Sequence, residues 1–232
     1  MNIVIPASGR GQRFKDAGYI LPKPLIDVAG KPMLSRVVAN VMPHGEHRVV
    51  AAVAPGTPEM FDVQQVVMPW VTDGAARTAV VAIHLAQLPL HDPLLIANSD
   101  QLLDWEVQDF LNHVEPFDGG IVVFQSDMNP KWSYVQTRGR RVLKVVEKQP
   151  ISDLATAGIY YWARTADFLT AAQTMIGWDD RHNNEFYVAP TYNYLIHAGM
   201  NIQTYQVNPR CMHGLGTPED LRTYLDFLRE EA

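Results

Sequence analysis

The residue types that phosphate chemistry needs fall in a few short segments. Ala7-Ser8-Gly9-Arg10-Gly11-Gln12-Arg13-Phe14 directly follows the apolar run 2–6. Glycines at 9 and 11 let the backbone approach an anion and turn N–H groups toward it. Arg13, with Pro22-Lys23-Pro24 further on, adds two fixed cations. Glycine-x-glycine alone reads more readily as an exposed loop, but with Arg13 and Pro22-Lys23-Pro24 the balance turns to cations beside a glycine turn that neutralise a triphosphate. Asn98-Ser99-Asp100 stands at the end of the apolar run 94–97. A hard carboxylate oxygen there suits Mg2+, which takes one or two carboxylates and keeps several waters. A turn or capping aspartate is the alternative. In Glu147-Lys148-Gln149-Pro150, Lys148 is either a cation for a second phosphate or half of an ordinary exposed pair.

Other chemistries fail on specific residues. The dinucleotide fingerprint needs a third glycine where Phe14 stands, and a phosphate-binding Walker loop is broken because Pro32 follows Gly30-Lys31. No Gly-x-Ser-x-Gly elbow exists. His44 and His47 lie on one turn without a third ligand, and the single cysteine, Cys211, excludes an intrachain disulfide or a cysteine zinc site.

Composition narrows the class further. With 19 Lys and Arg against 25 Asp and Glu, the net charge of −6 argues against a nucleic-acid partner, which calls for a basic surface. No apolar run approaches the roughly 20 residues of a membrane span, and Met1-Asn2-Ile3-Val4-Ile5-Pro6 does not read as a secretory leader. The expectation is a soluble, cytoplasmic protein with no nucleic-acid or membrane partner, compatible with a homo-oligomer. At 232 residues, 47% hydrophobic, it has ample length for a core.

The positioning elements alternate. Strands are expected at 2–6, 47–54, 65–68, 94–97 and 120–124, with helices at 33–42, from 74 to about 87, and at 105–114. Between 133 and 162 the chain changes to strands of mixed polarity, including 141–147 and 156–162. Helices are expected at 164–176, at 185–197 (with Glu185 favouring the helix dipole) and at 217–229, and a strand at 202–207. The last helix opens on Thr217 and Pro218, with Glu219 and Asp220 suited to its amino terminus. This predicts one α/β domain, 1–232, with a nucleotide-binding portion of about 1–125 continuous with a second portion of about 126–232 that inserts extra strands, which the resemblance given below makes the acceptor-binding portion. In such folds ligands lie at the carboxyl ends of the strands, where the glycine loop, Gly74 and Asn98–Asp100 converge.

The ordered set Gly9-x-Gly11-x-Arg13, Lys23-Pro24-Leu25, Asp73-Gly74-Ala75, Asn98-Ser99-Asp100, Glu147-Lys148, Ala157-Gly158-Ile159-Tyr160 and Gly216-Thr217-Pro218-Glu219-Asp220-Leu221 resembles the sugar-phosphate nucleotidyltransferases. Trp132-Ser133-Tyr134 and Asn184-Glu185-Phe186-Tyr187-Val188-Ala189-Pro190 are similar to a subgroup found among capsule and surface-polysaccharide biosynthesis proteins. The resemblance implies a Rossmann-like, GT-A-type fold with a mixed, mostly parallel sheet. It also implies Mg2+-dependent transfer of a nucleoside monophosphate from a nucleoside triphosphate to a phosphorylated small-molecule acceptor. By that resemblance Ala7, Ser8, Gly9, Gly11, Gly74 and Asn98 bind the nucleotide, with Gly74 against the base. Arg13 holds the leaving pyrophosphate, Lys23 the reacting phosphates, and Asp100 the metal. Trp132, Tyr134, Glu147, Lys148, Gly158 and Glu185 form the acceptor site, with Lys148 on its phosphate.

Two positions depart from the family pattern. Gly214 stands where the family carries a second metal-binding aspartate, and Pro69 stands where it carries a base-reading glutamine. They leave open a cytidylyltransferase acting on a non-sugar phosphate and a non-catalytic nucleotide-binding regulator. A GT-A glycosyltransferase would want Asp-x-Asp, whereas the chain reads Asp100-Gln101-Leu102.

Overall fold

The computed structural model describes residues 1–59 and 63–231. In chain order, β1 (Asn2–Ala7) leads to the short helix α1 (Gln12–Asp16), the hairpin β2 (Asp27–Val28) and β3 (Lys31–Pro32), and α2 (Met33–Asn40). Then follow β4 (Arg48–Val53), β5 (Gln64–Val67), α3 (Ala75–Leu85), β6 (Leu94–Ala97), β7 (Gln101–Leu103) and α4 (Val107–Val114). The second half holds β8 (Gly119–Gln125), β9 (Ser133–Arg138), β10 (Arg141–Glu147), β11 (Leu154–Trp162) and α5 (Thr165–Gly177). It closes with α6 (Tyr192–His197), β12 (Ile202–Val207), β13 (Met212–Gly214) and α7 (Pro218–Glu230).

Nine strands form one sheet in the order β5-β4-β1-β6-β11-β8-β12-β10-β9. The apolar runs of β1, β4 and β6 are buried on both faces, the pattern of interior parallel strands. Their period-2 alternation feeds two cores: Ile3, Ile5, Ala51, Val53 and Leu95 face one side, and Val4, Val50, Ala52, Leu94 and Ile96 the other. Helices α2, α4 and α7 cover the first face, and α3, α5 and α6 the second. The sheet is mixed. Parallel pairing is confined to β5-β4-β1-β6 and to β12–β8, while β11 and β10 run antiparallel to their neighbours, so the expected mostly parallel character holds only for the first half. Insertion of β11 between β6 and β8 produces this reversal, and it joins β8, β12, β10 and β9 to the parallel strands β5-β4-β1-β6 in one sheet.

Two further pairings matter for the site. β7 and β13 form a small ribbon in which Gly214 stands opposite Gln101. The expected helix 185–197 is shorter: a 3-10 turn covers Ala189–Thr191, and α6 begins only at Tyr192. Among the described residues no helix is long and apolar enough to cross a membrane.

Candidate functional site

The carboxyl ends of β1, β6 and β10, the ribbon β7–β13 and the start of α3 open onto a cleft of about 980 Å3. That volume is at the upper end of the ~300–1,000 Å3 usual for a small-molecule site. Ala7, Ser8, Gly9, Gly11, Arg13, Lys23, Gly74, Asn98, Asp100, Trp132, Glu147, Lys148 and Glu185 all line it. Tyr134 and Gly158, the remaining two expected site residues, do not.

At the glycine turn the chain leaves β1 and reverses through Gly11, whose φ of +61° lies in the left-handed region. A Cβ on Gly11 would stand 3.2 Å from the Lys23 Cβ, so the bare turn is what lets Lys23 close over it. The Lys23 ammonium then donates to Asp100 Oδ2, delivered by β6 through Asn98 and Ser99. Arg13 is exposed, and its guanidinium makes no hydrogen bond or ion pair among the described residues.

The opposite wall is a connected network. Ser133 donates its hydroxyl to Glu147, whose carboxyl burial pushes up from its ordinary range, the Ser133 bond and the Lys148 charge pulling back. Lys148 adopts a φ of +52°, unusual for a side-chain-bearing residue, and its N–H donates to the Trp132 carbonyl at 3.0 Å. This turns its ammonium into the cleft, where it donates to the Tyr187 hydroxyl at 2.5 Å and lies 4.6 Å from that ring's centre. Tyr187 in turn donates to Glu185 Oε2 at 2.7 Å, and burial together with the Glu185 carboxylate raises its pKa.

Glu185 therefore does not open a helix. Asn183 and Asn184 take φ of +49° and +62°, and the N–H and carbonyl of Phe186 bond to the Asp73 carbonyl (2.8 Å) and the Ala76 N–H (3.0 Å) instead of to a helical turn. The Phe186 ring lies between the Arg77 and Arg181 guanidiniums, 4.9 and 4.4 Å from them, and Arg181 reaches Asp73 Oδ2 at 2.7 Å. This crossing gives Gly74 its reason. At a φ of +123°, a Cβ there would stand 2.4 Å from the Phe186 carbonyl oxygen, so the glycine makes room for protein backbone.

Tyr134, expected in the acceptor site, does not reach the cleft. It is fully buried on β9, its hydroxyl donating to the Asn129 carbonyl at 2.8 Å, because strand alternation sends it into the core while Ser133 faces the cleft. Gly158 sits behind the wall at a bulge of β11, and its carbonyl accepts from the Asn98 N–H at 2.8 Å. A Cβ there would overlap Gln101 Oε1 at 1.7 Å, so its contribution is space for the Asn98–Gln101 pair. Trp132 is half-buried against Phe124 with the Lys131 ammonium 4.6 Å from its ring centre.

Sequence reasoning missed Tyr187 and the Arg181–Asp73 clasp, and it did not place Asp220 on the cleft that it lines. Tyr187 was visible only as part of a motif, and the clasp spans 108 residues. Asp220 reads locally as a helix-capping residue.

A glycine turn, unpaired arginine, strand-end carboxylate and second lysine gathered on a mixed α/β sheet define a nucleotidyltransferase. Residues 3–169 match the MobA-like NTP transferase domain, and the chain belongs to that family. Over 98% of its length it superposes on 99% of the nucleoside-diphosphate-sugar pyrophosphorylase of Vibrio cholerae RC9, with a TM-score of 0.81 and 25% identity. It shares the fold of the inositol-1-phosphate CTP transferase of T. maritima at a TM-score of 0.76 and 15% identity, covering 98% and 94% of the two chains. A segment of 65 residues is 46% identical to the bifunctional protein GlmU of Burkholderia multivorans, 23% of this chain and only 14% of that protein. The chain thus spans a small part of that curated relative.

Proposed function

We propose that the chain transfers a nucleoside monophosphate from a nucleoside triphosphate to a sugar phosphate or similar phosphorylated acceptor, releasing pyrophosphate. The whole of 1–232 acts as one domain in the cytoplasm, supplying activated precursors for surface polysaccharide. The observation that carries this reading is the shared cleft, lined by Arg13, Lys23 and Asp100 from the segments that follow β1 and β6 and by Glu147 and Lys148 from the end of β10. The names of the structural relatives support a phosphorylated polyol or sugar as acceptor.

The chemistry needs alignment more than proton transfer. An acceptor phosphate oxygen is already a nucleophile. It forms a bond to the α-phosphorus, the α–β anhydride bond breaks, and the electron pair leaves on pyrophosphate. The obstacle is the approach of two anions. Lys148 holds the acceptor phosphate, Lys23 the reacting phosphates and Arg13 the departing pyrophosphate. Two unit charges 4 Å apart interact by about 4 kcal/mol at an effective dielectric near 20. Loss of one such cation thus costs about two to three decades in rate.

Asp100 fits a divalent cation: its carboxylate is a hard oxygen donor, and Gly216 leaves the space beside it open, since a Cβ there would stand 3.3 Å from Oδ2. Mg2+ bound there would offset phosphate charge. Ser133, Glu147 and Glu185 supply acceptors and donors for the hydroxyls of the acceptor, and Trp132 an apolar edge.

The test is pyrophosphate release from each of the four nucleoside triphosphates with Mg2+ against hexose 1-phosphates and polyol phosphates. Acceptor-dependent release supports the reading. No release with any pair contradicts it, and transfer from a nucleotide sugar without pyrophosphate would make the chain a glycosyltransferase.

A further inference from the structure

We propose that Asp220, on the first turn of α7, is the second carboxylate of the divalent-cation site, beside Asp100. The proposal rests on Asp100 as a metal ligand, as stated above. The β7–β13 ribbon sets the two segments side by side: Gly214 stands opposite Gln101, and the Leu215 N–H donates to the Asp100 carbonyl at 2.7 Å. Neither Gly214 nor Gly216 places a side chain in the strip between them. A Cβ on Gly216 would stand 3.3 Å from Asp100 Oδ2 and 3.8 Å from Asp220 Oδ2, and one on Gly214 would stand 3.9 Å from Asp220 Oδ1. Two carboxylates from distant parts of the chain therefore turn toward one glycine-lined space at the floor of the cleft.

The neighbouring candidates are committed elsewhere. His213 points away from the strip: its Nε2 lies 2.7 Å from Asp104 Oδ2, and its ring packs on Tyr224 and Phe227 at 4.9 and 4.7 Å. The Glu185 carboxylate accepts from Tyr187 in the acceptor wall. Asp220 and Asp100 each carry one ammonium, Lys131 at 3.4 Å and Lys23, at the place where a cation would put its charge. Exchange of those ammoniums for a divalent ion frees both lysines to meet phosphate. The Thr217 hydroxyl donates to Asp220 Oδ2 at 2.7 Å, and the Asp220 N–H donates back to it at 3.0 Å, which fixes the carboxylate's direction.

That reciprocal bond is also the competing explanation, a helix cap and nothing more. Asp220→Asn separates the two, since an amide oxygen keeps the cap but loses the anionic ligand. The experiment is titration of the full chain with Mn2+ alone, free Mn2+ being read from its electron paramagnetic resonance signal, alongside melting in chelator. Losing even an outer partner of a ligand costs about 10–100-fold in affinity. Asp220→Asn is therefore expected to weaken Mn2+ binding by at least about tenfold with the chelator melting curve unchanged. Gly214→Asp added to that variant is expected to recover binding from the other side of the strip. Mn2+ affinity unchanged in Asp220→Asn but lost in Asp100→Asn would reduce Asp220 to a cap and leave the proposed function standing. Affinity unchanged in both variants would overturn the metal reading of Asp100 as well.

Discussion

The two ends of the cleft hold their charges in different ways. At the glycine turn, Arg10 and Arg13 are exposed and their guanidiniums unpaired among the described residues, and the Lys23 ammonium meets Asp100 and lies 5.8 Å from the centre of the Phe14 ring. At the opposite wall the charged groups are already engaged: Glu147 accepts from Ser133, and Lys148 donates to the Tyr187 hydroxyl, which donates to Glu185. On the proposed function the first end would receive a ligand that brings its own negative charge, and the second, already hydrogen-bonded, would discriminate by shape and hydrogen bonding at the cost of little rearrangement.

The sharpest way to break this contrast is at Asp100, where loss of the strand-end carboxylate has no substitute among the wall residues. Asp100→Ala is expected to lower kcat by about 10^3-fold or more in steady-state kinetics, in line with the charge stabilisation estimated above. Retention of kcat would detach the nucleotide end from catalysis.

The next effect tests the clasp between the ends. Gly74→Ala forces a Cβ to within 2.4 Å of the Phe186 carbonyl oxygen at a positive φ. Strain of that kind costs about 1–3 kcal/mol, a melting shift of several degrees for a chain of this size. A melting curve that does not move would show that the 182–188 segment can leave α3 freely.

Smaller effects sharpen the wall itself. Tyr187→Phe removes the hydroxyl between Lys148 and Glu185. A hydrogen bond to a charged group contributes about 1.5–3 kcal/mol, so acceptor kcat/KM should fall about tenfold or more while the triphosphate KM holds. The smallest concerns Glu147. Its pKa is raised on folding, so the folded chain binds that proton more tightly than the unfolded one. Stability therefore declines as pH rises from the ordinary carboxylate range through the raised value, and stays lower above it. Glu147→Gln, which keeps a partner for Ser133, should flatten that decline in melting temperature between acid and neutral pH. An unchanged slope would mean that the buried carboxylate costs nothing when ionised.

The glycine-turn end was the more legible of the two because its signals are local. The glycine turn, the apolar runs of β1 and β6 and the residues that follow them sit within a few positions of one another. The wall depends on long-range choices. Phe186, Val188, Ala189, Tyr192 and Leu195 are spaced like a helix face, yet Phe186 gives its backbone to Asp73 and Ala76, so tertiary bonds replace the helical ones. The parity of β9 decides that Ser133 faces the cleft and Tyr134 the core, and the sequence alone does not state which face a mixed-polarity strand turns outward. Asp220 was read as a helix terminus because nothing near it in sequence reveals that the β7–β13 ribbon carries Asp100 alongside.

The central claim is that two phosphorylated molecules occupy opposite ends of one cleft. The most direct measurement is the pair of Michaelis constants in Lys148→Ala and Arg13→Ala. Lys148→Ala is expected to raise the acceptor KM by about two decades with the triphosphate KM unchanged, and Arg13→Ala to do the reverse. Equal shifts of both constants in both variants, or near-unaltered values throughout, would contradict the division of the cleft.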